Sequence, residues 1–512
     1  MKTNKIIIFF AASLLILSAC SKQLDIAPVS SISDANFWQT PDQYDAFVSG
    51  IHARLRSHIQ ALQFLGEMRS DIFGTEPGSA GTFSGEATQG VERMWLQTLD
   101  LDNPGVSNFG GFYANIVQLN LLIDRLNTST VLTNTNKNYY LGIAYGLRAF
   151  YYFQMTRTWG DVVIQTEPVA SFDIANLAKA ANSTQEVMTL INDDIEKSLQ
   201  SFGADYSFRN TKSYWSKPAT LMLKAEYHLW LAHRGGNNTE ATIALEALND
   251  IQAKVTGLAL LKNFSDVFKA GVANKGNAEI IFSLRHLLNE STLPFSNTFY
   301  PQTNLLANYW DSLGNRKFDV TLDNWGGLLR TPVRSATFRL FNDLDTRKWF
   351  SIQAAYNKSD SLGFLLAGCF VKKYEGEQEN GVRRITNDYP IYRYADLLLM
   401  KAEAKVILGQ DPAVEINDVR ARAFGAKYDA AVHAFPLQVI DVDPKEAILQ
   451  ERLYEFVFEG KRWLDLRRFG DQYVYKYTSV KSSEAHKLLW PIDRNSLTNN
   501  RELKQNPGYP SF

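Results

Sequence analysis

The sequence predicts a mainly α-helical protein assembled from pairs of helices, with loop-rich segments set between them. Three observations carry this expectation. Three windows repeat apolar residues at the 3.6-residue period and end at a glycine, and each is followed by a second helical window. Two long stretches have no period at all.

In chain order, the first candidate pair joins residues 41–58 to 110–126. Residues 141–159 come next and stop at Gly160, where a helix end favours glycine, and 185–199 follow them. Residues 219–233 are entered through Ser216-Lys217-Pro218 and close at Gly235-Gly236. Leu221, Met222, Ala225 and Leu229 form one stripe there, and 239–255 are its partner window. Residues 395–408 bury Ala395, Leu398, Leu399, Ala402 and Val406, stop at Gly409 and precede 412–424. Asp443-Pro444-Lys445-Glu446 reads as a capping box with proline at the first helical position, opening a helix to about Glu459.

The three first helices share an echo. Leu147-Arg148-Ala149, Leu223-Lys224-Ala225 and Met400-Lys401-Ala402 each read apolar, basic, alanine. Alanine at mid-helix lets a partner helix approach closely, as in tetratricopeptide-type pairs. The echoes are unevenly spaced rather than at a period of about 34 residues. They are either a broken repeat with insertions or a coincidence of helix-forming residues. Residues 70–111, with eight glycines and two prolines, and residues 290–349, rich in Pro, Asn, Asp, Gly and aromatics, read as long loops and short strands. Long loops inside a folded unit are unusual unless functional.

Composition excludes several classes of function. The chain has 512 residues, 45% hydrophobic and 21% charged, which is globular composition. With 53 basic against 54 acidic residues there is no overall positive field for a nucleic acid. Two cysteines exclude a disulfide framework, a multi-cysteine zinc site and an iron–sulfur cluster built from this chain. Lys2 and Lys5 precede an apolar run, residues 6–17, that is too short to cross a hydrocarbon core of about 30 Å. It reads as the middle of a secretory signal. Leu17-Ser18-Ala19-Cys20 then resembles a bacterial lipobox. Residues 1–19 are the expected signal peptide, and Cys20 is the expected lipidated first residue of the mature chain. A plain signal with a chance cysteine is the alternative. Cys369, inside the apolar run 363–371, reads as a small buried hydrophobe.

No catalytic constellation emerges. His228 and His233 are five apart, about 140° around a helix, and cannot easily face one metal. Gly81-Thr82-Phe83-Ser84-Gly85 puts serine at the wrong place for a nucleophile elbow. Gly271 and Gly276 have phosphate-loop spacing, but Asn277-Ala278 follow in place of Lys-Ser/Thr. The pairs Asp193-Asp194 and Glu377/Glu379 are unremarkable among so many acids. The expectation is no catalytic residue, no metal and no cofactor.

From Leu24 onward the chain resembles the SusD/RagB family of Bacteroidetes outer-membrane nutrient-binding lipoproteins. The resemblance rests on LDIAPVSSISDANFW (24–38), YANIVQLNLLI (113–123) and RAFYYFQMTRTWGDVVI (148–164). It continues through RYADLLLMKAEA (393–404), INDVRARA (416–423), ERLYEFVFEGKRWLDLRRFG (451–470), LLWPI (488–492) and QNPGY (505–509). Leu453-Tyr454 departs from it, standing where a more polar pair is common. The resemblance implies a superhelix of tetratricopeptide-like helix pairs with a loop-rich insertion, one unit over residues 20–512. It also implies capture of oligosaccharides or related nutrients at the cell surface for a SusC-like TonB-dependent transporter. Members are binding proteins, not enzymes. The competing readings are a secreted glycan hydrolase with carboxylates in the loop regions, and a helical-repeat scaffold that binds proteins.

Two sets of residues stand out physically. Glu455 and Glu459, followed by Arg462, Asp465, Arg467 and Arg468 among aromatics, suggest a partly buried ion network, with anion binding as the alternative. A sugar site needs exposed aromatic platforms beside polar groups. Seven of the ten tryptophans lie in or beside helices or matched motifs, where packing is their expected role. Trp95, Trp310 and Trp325 lie in the aperiodic regions with Tyr300 and Tyr309, and Asp71 and Asn103 offer polar partners. These seven residues are the expected ligand site, formed where the two loop regions face each other.

Cys20→Ala is expected to release the protein from membranes. Fractionation of that variant in cells lacking the transporter checks this, and retention in the outer-membrane fraction would contradict it.

Overall fold

The computed structural model describes residues 37–511 apart from 78, 80, 170–177 and 237, so Cys20 and its signal lie outside the described residues. Helices of eight or more residues are α1 (Pro41–Ser57), α2 (Ile59–Glu67), α3 (Phe109–Thr128), α4 (Asn134–Trp159), α5 (Thr184–Phe202) and α6 (Lys217–Gly235). Then come α7 (Asn238–Lys254), α8 (Tyr394–Ile407), α9 (Ala413–Phe424), α10 (Pro444–Phe456) and α11 (Arg462–Phe469). Starts follow local chemistry. Thr40 with Gln43, and Ser183 with Glu186, form capping boxes for α1 and α5, and Ser216 caps α6 ahead of Pro218.

The fold is mainly α, as the periodicity predicts. Pairs α4–α5, α6–α7 and α8–α9 pack in sequence, with α3 against α4 and α7 against α8. The alanines of the echo, Ala149, Ala225 and Ala402, are fully buried. Its basic residues reach neighbouring helices: Arg148 holds Asp194 at 2.7 Å, Lys224 holds Glu196 at 2.6 Å and Lys401 lies 3.8 Å from Glu415. The echo is therefore a packing pattern, and Asp194 is a structural acid.

Two boundaries differ from expectation. Helix α4 starts seven residues before the periodic window, because Tyr139 and Tyr140 pack inward from a turn of Asn, Thr and Lys with no apolar period. Asp443 caps α10 by accepting from the Lys445 N–H at 2.9 Å, but Glu446 does not complete a box. Its carboxylate is taken by Lys476 (2.5 Å) and the Tyr477 hydroxyl. The helix ends at Phe456, because Phe458 and Gly460 take left-handed φ values of 70° and 68°.

The strands are β1 (Ile280–Leu284), β2 (Trp310–Asp311), β3 (Arg316–Lys317), β4 (Ile352–Ser359), β5 (Gly363–Val371), β6 (Glu377–Glu379), β7 (Val382–Arg384) and β8 (Tyr389–Arg393). They form an antiparallel pair β1–β8, a sheet in the order β3-β2-β4-β5, and a hairpin β6–β7. Cys369 sits fully buried in β5, and burial pushes its thiol pKa well up, as an inert packing residue requires.

A buried ion network joins these parts. Arg393, ending β8, reaches Glu279 (2.7 Å), Glu455 (2.5 Å) and Glu459 (2.8 Å). Arg347 binds Asp345, Glu451 and Glu455, Arg422 binds Glu279 and Glu455, and Lys373 binds Glu459 at 2.6 Å. Burial alone would raise the Glu455 carboxyl, but Arg422, Arg393 and Arg347 hold it far below its usual range. The expected buried ion network is present, but it divides in two, because Glu455 and Glu459 pair with other residues than the 462–468 charges. Arg462 holds Asp71, Arg468 holds Glu403, and Arg467 donates to the carbonyls of Arg157 and Leu488. Those charges form a second cluster, in which Asp465 and Asp396 share Arg452.

The same C-terminal segment clasps the end of α2. Glu67 accepts from the N–H groups of Phe458 (2.8 Å) and Gly460 (3.3 Å). Arg69 donates to the carbonyls of Leu489 and Lys487 and lies between the rings of Trp463 and Trp490, at 4.6 and 5.2 Å. A Cβ at Gly66 would lie 1.7 Å from the Gly460 carbonyl oxygen, so only glycine permits this crossing.

Glu455→Gln is expected to cost about 3–5 kcal/mol, because it removes the negative charge that three buried guanidinium groups share. Denaturant unfolding measures it, and a loss under about 1 kcal/mol would contradict the assignment. Burial opposes ionisation of Asp396 and Glu403, yet Lys461 and Arg452 hold the first at about 2, and Arg468 and His233 hold the second at about 2. Both folded pKa values lie below the unfolded ones, so their stabilisation is present at neutral pH. Thermal unfolding should show it draining away as pH falls from about 4.5 towards 2.

Candidate functional site

The two aperiodic regions do pack against each other. Phe73 bridges Val333, the Gly74 N–H donates to Pro332, and Arg334 donates its N–H to Ile72. Further along, the Gln302 N–H reaches Glu86 at 2.9 Å, and the Tyr309 hydroxyl donates to the Phe83 carbonyl at 2.7 Å. Phe83 and Tyr309 meet edge to face with centroids 5.3 Å apart.

Several residues expected to form an open ligand site are committed elsewhere. Tyr300 is fully buried, its hydroxyl donating to the Tyr374 carbonyl at 2.6 Å, and burial raises its phenol pKa far above the usual range. Trp325 is 6% exposed, with Tyr300 at 4.9 Å and the Arg383 guanidinium 4.2 Å over its ring. Trp95 is 9% exposed and packs beside Gly74. These three rings pin the loops onto the scaffold and present no open face for stacking. Asp71 is held by Arg462 through two bonds of 2.9 Å. Asn103 is exposed and donates to Asp100 within its own turn.

Tyr309 and Trp310 remain half-buried at the surface. Trp310 stands in register opposite Tyr356 of β4, and Lys358 opposite Phe364 of β5. Alternation along a strand puts Tyr356 and Lys358 on one sheet face, with Trp310 and Phe364 beside them. The rings of Trp310 and Phe364 are 6.2 Å apart, and those of Tyr356 and Phe364 are 5.9 Å apart. The Lys358 ammonium lies 4.2 Å over Trp310 and donates to Asn315 at 3.3 Å. Asn315, which accepts that bond, stands beside the rings, whereas alternation turns Asp311 and Asn357 to the opposite sheet face. The result is a platform of three partly exposed aromatics beside an ammonium and an amide, which offers apolar faces and hydrogen-bonding groups together.

Sequence reasoning missed Tyr356, Lys358 and Phe364. The available signal was a hairpin: a strand-like run through Tyr356 and Lys358, the turn Asp360-Ser361-Leu362, then the apolar run 363–371 that opens with Phe364. The paired carboxylates considered for catalysis separate. Glu377 binds the Thr386 hydroxyl and Glu379 lies 3.2 Å from Arg384. His228 and His233 also have different partners, Glu240 at 2.5 Å and Glu403 at 3.1 Å.

Comparison with known proteins places this geometry. A profile described as SusD family matches residues 345–509. One described as "Starch-binding associating with outer membrane" matches residues 72–224. "SusD-like protein P38" of Formosa agariphila is 27% identical, and the match covers 99% of each chain. The structure titled "B. fragilis NanU" is 42% identical, with a TM-score of 0.87 over 95% of this chain and 100% of that one. A SusD superfamily protein from Bacteroides vulgatus is 39% identical, with a TM-score of 0.85 over 92% of this chain and all of its own. With identity of this level running the whole length of that relative, the chain belongs to the SusD/RagB family.

Proposed function

We propose that this protein captures glycans at the outer-membrane surface and passes them, uncleaved, to a SusC-like TonB-dependent transporter, held there by a lipid on Cys20. The observation that carries the reading is the aromatic platform of Trp310, Tyr356 and Phe364. Pyranose rings present apolar C–H faces ringed by hydroxyls, and such a platform takes the faces while Lys358 and Asn315 take hydroxyls. The starch-binding, outer-membrane description of the matched profile supports the same chemistry. Within the expected loop site, Tyr309 and Trp310 are the members retained. Tyr300, Trp325 and Trp95 act as its support.

Calorimetry with a panel of oligosaccharides tests the reading. Trp310→Ala and Tyr356→Ala should each weaken a bound glycan by about 1–2 kcal/mol, roughly 5- to 30-fold, with unfolding midpoints unchanged. Folded variants that bind as the parent does would move the site elsewhere. Release of shortened saccharides by the purified protein would overturn the non-catalytic part.

A further inference from the structure

A second recess lies away from the platform. It is an open cleft of about 340 Å³ between α1, the segment around 210–214 and the end of β1, lined by Ser49, Arg56, Asn210, Tyr214, Arg285 and Glu290 among others. Its rim is backbone of unusual conformation. Asn210, Thr211 and Lys212 have φ values of 50°, 53° and 62°, three successive non-glycine residues in the left-handed region. A β-branched residue there is a genuine outlier, and such strain persists only where surrounding contacts impose it. They do so here. The Arg285 guanidinium donates to the Asn210 side-chain oxygen at 2.6 Å, and Lys212 donates to the Asn277 carbonyl at 2.7 Å. Gly276 makes room below, since a Cβ on it would lie 2.6 Å from the Thr211 carbonyl oxygen.

The charges in the cleft are unequally matched. Arg56 donates to the Arg285 carbonyl at 2.9 Å and to Glu290 at 2.5 Å. Arg285 stands 3.9 Å from the same carboxylate, so two guanidinium groups share one acid. The Arg285 Nε is buried and, among the described residues, has no hydrogen-bond partner. Glu290 is 40% exposed on its side chain, and an exposed pair of this kind contributes little to stability. It can therefore swing into water at small cost.

We propose that this cleft is a second binding site, which receives the carboxylate of a small polar ligand on Arg56 and Arg285, with Glu290 occupying that position when the ligand is absent. Guanidinium forks match carboxylates in geometry and charge. The cleft volume suits a ligand of monosaccharide size, so the carboxylate belongs either to a sugar acid or to a free organic acid. The proposal stands on residues separate from the glycan platform, and the two readings fail independently.

Titration calorimetry on the soluble mature chain with D-glucuronate, D-glucose and acetate tests it. D-glucuronate is expected to bind one to one and at least about tenfold more tightly than D-glucose. Acetate that competes with it marks a site reading the carboxylate alone, and acetate that fails to compete marks one that also reads the ring. E290Q should strengthen D-glucuronate binding several-fold, and R56Q should weaken it about tenfold or more while W310A leaves it unchanged. R285Q bears on the strained turn as well, so R56Q and E290Q carry the decision, each checked for an unchanged unfolding midpoint. Equal binding of D-glucuronate and D-glucose to parent and E290Q would overturn the proposal. So would an R56Q protein with parental affinity, or loss of D-glucuronate binding in W310A alone.

Discussion

The placement of Arg393 among Glu279, Glu455 and Glu459 is the constraint on which the rest of the molecule depends. A guanidinium with no exposed surface must be met by charge, and three acids from two distant stretches of sequence converge on it. Glu279 leads into β1, while Glu455 and Glu459 come from the end of α10 and the turn after it. The pairing of β1 with β8, the seat of α10 on α8 and α9, and the approach of the 345–351 segment are thereby set at one point. A hydrophobic cluster of the same volume would hold these parts as strongly, but without the directed bonds that join each acid to a particular guanidinium. Arg347 and Lys373 extend the lattice to the edge of the sheet that carries the aromatic platform, so that surface inherits its orientation from the buried charges.

What could be read in the sequence was the part decided locally. Helices α5 to α9 show their period and their caps in consecutive residues, and Ser183 or Ser216 needs no distant partner to start one. Helix α4 was only partly legible, because Tyr139 and Tyr140 are buried by residues far along the chain. The ion network was legible as charges but not as pairs. Glu455 meets Arg347, Arg393 and Arg422, none of which lies in its own motif. The candidate ligand surface was the least legible, since exposure belongs to tertiary neighbours. Trp325 and Trp310 have similar surroundings in sequence, yet Tyr300, Phe370 and Arg383 cover one of them and leave the other half open.

Aromatic residues thus do two kinds of work in the loop regions. Deep rings such as Tyr300 and Trp325 replace the regular hydrogen bonding that loops lack, each filling volume and satisfying a backbone or cationic neighbour. Shallow rings such as Trp310, Tyr356 and Phe364 ride on a sheet whose register fixes their spacing. A site built on strands is held more closely than one built on loops, which suits a rigid platform for a rigid ring.

The clasp between residues 67–71 and the last sixty or so has a consequence in time. Glu67, Arg69 and Asp71 are the buried end of an N-terminal helix and the turn after it, and their partners are Phe458, Gly460, Arg462, Lys487 and Leu489. In a nascent chain water serves those donors and acceptors until residues 458–489 have emerged. Long-range closure of this kind makes folding slow and cooperative, and it gives early fragments no stable resting place. A chain that must wait for residues 458–489 before its first helices can close stays open for most of its synthesis.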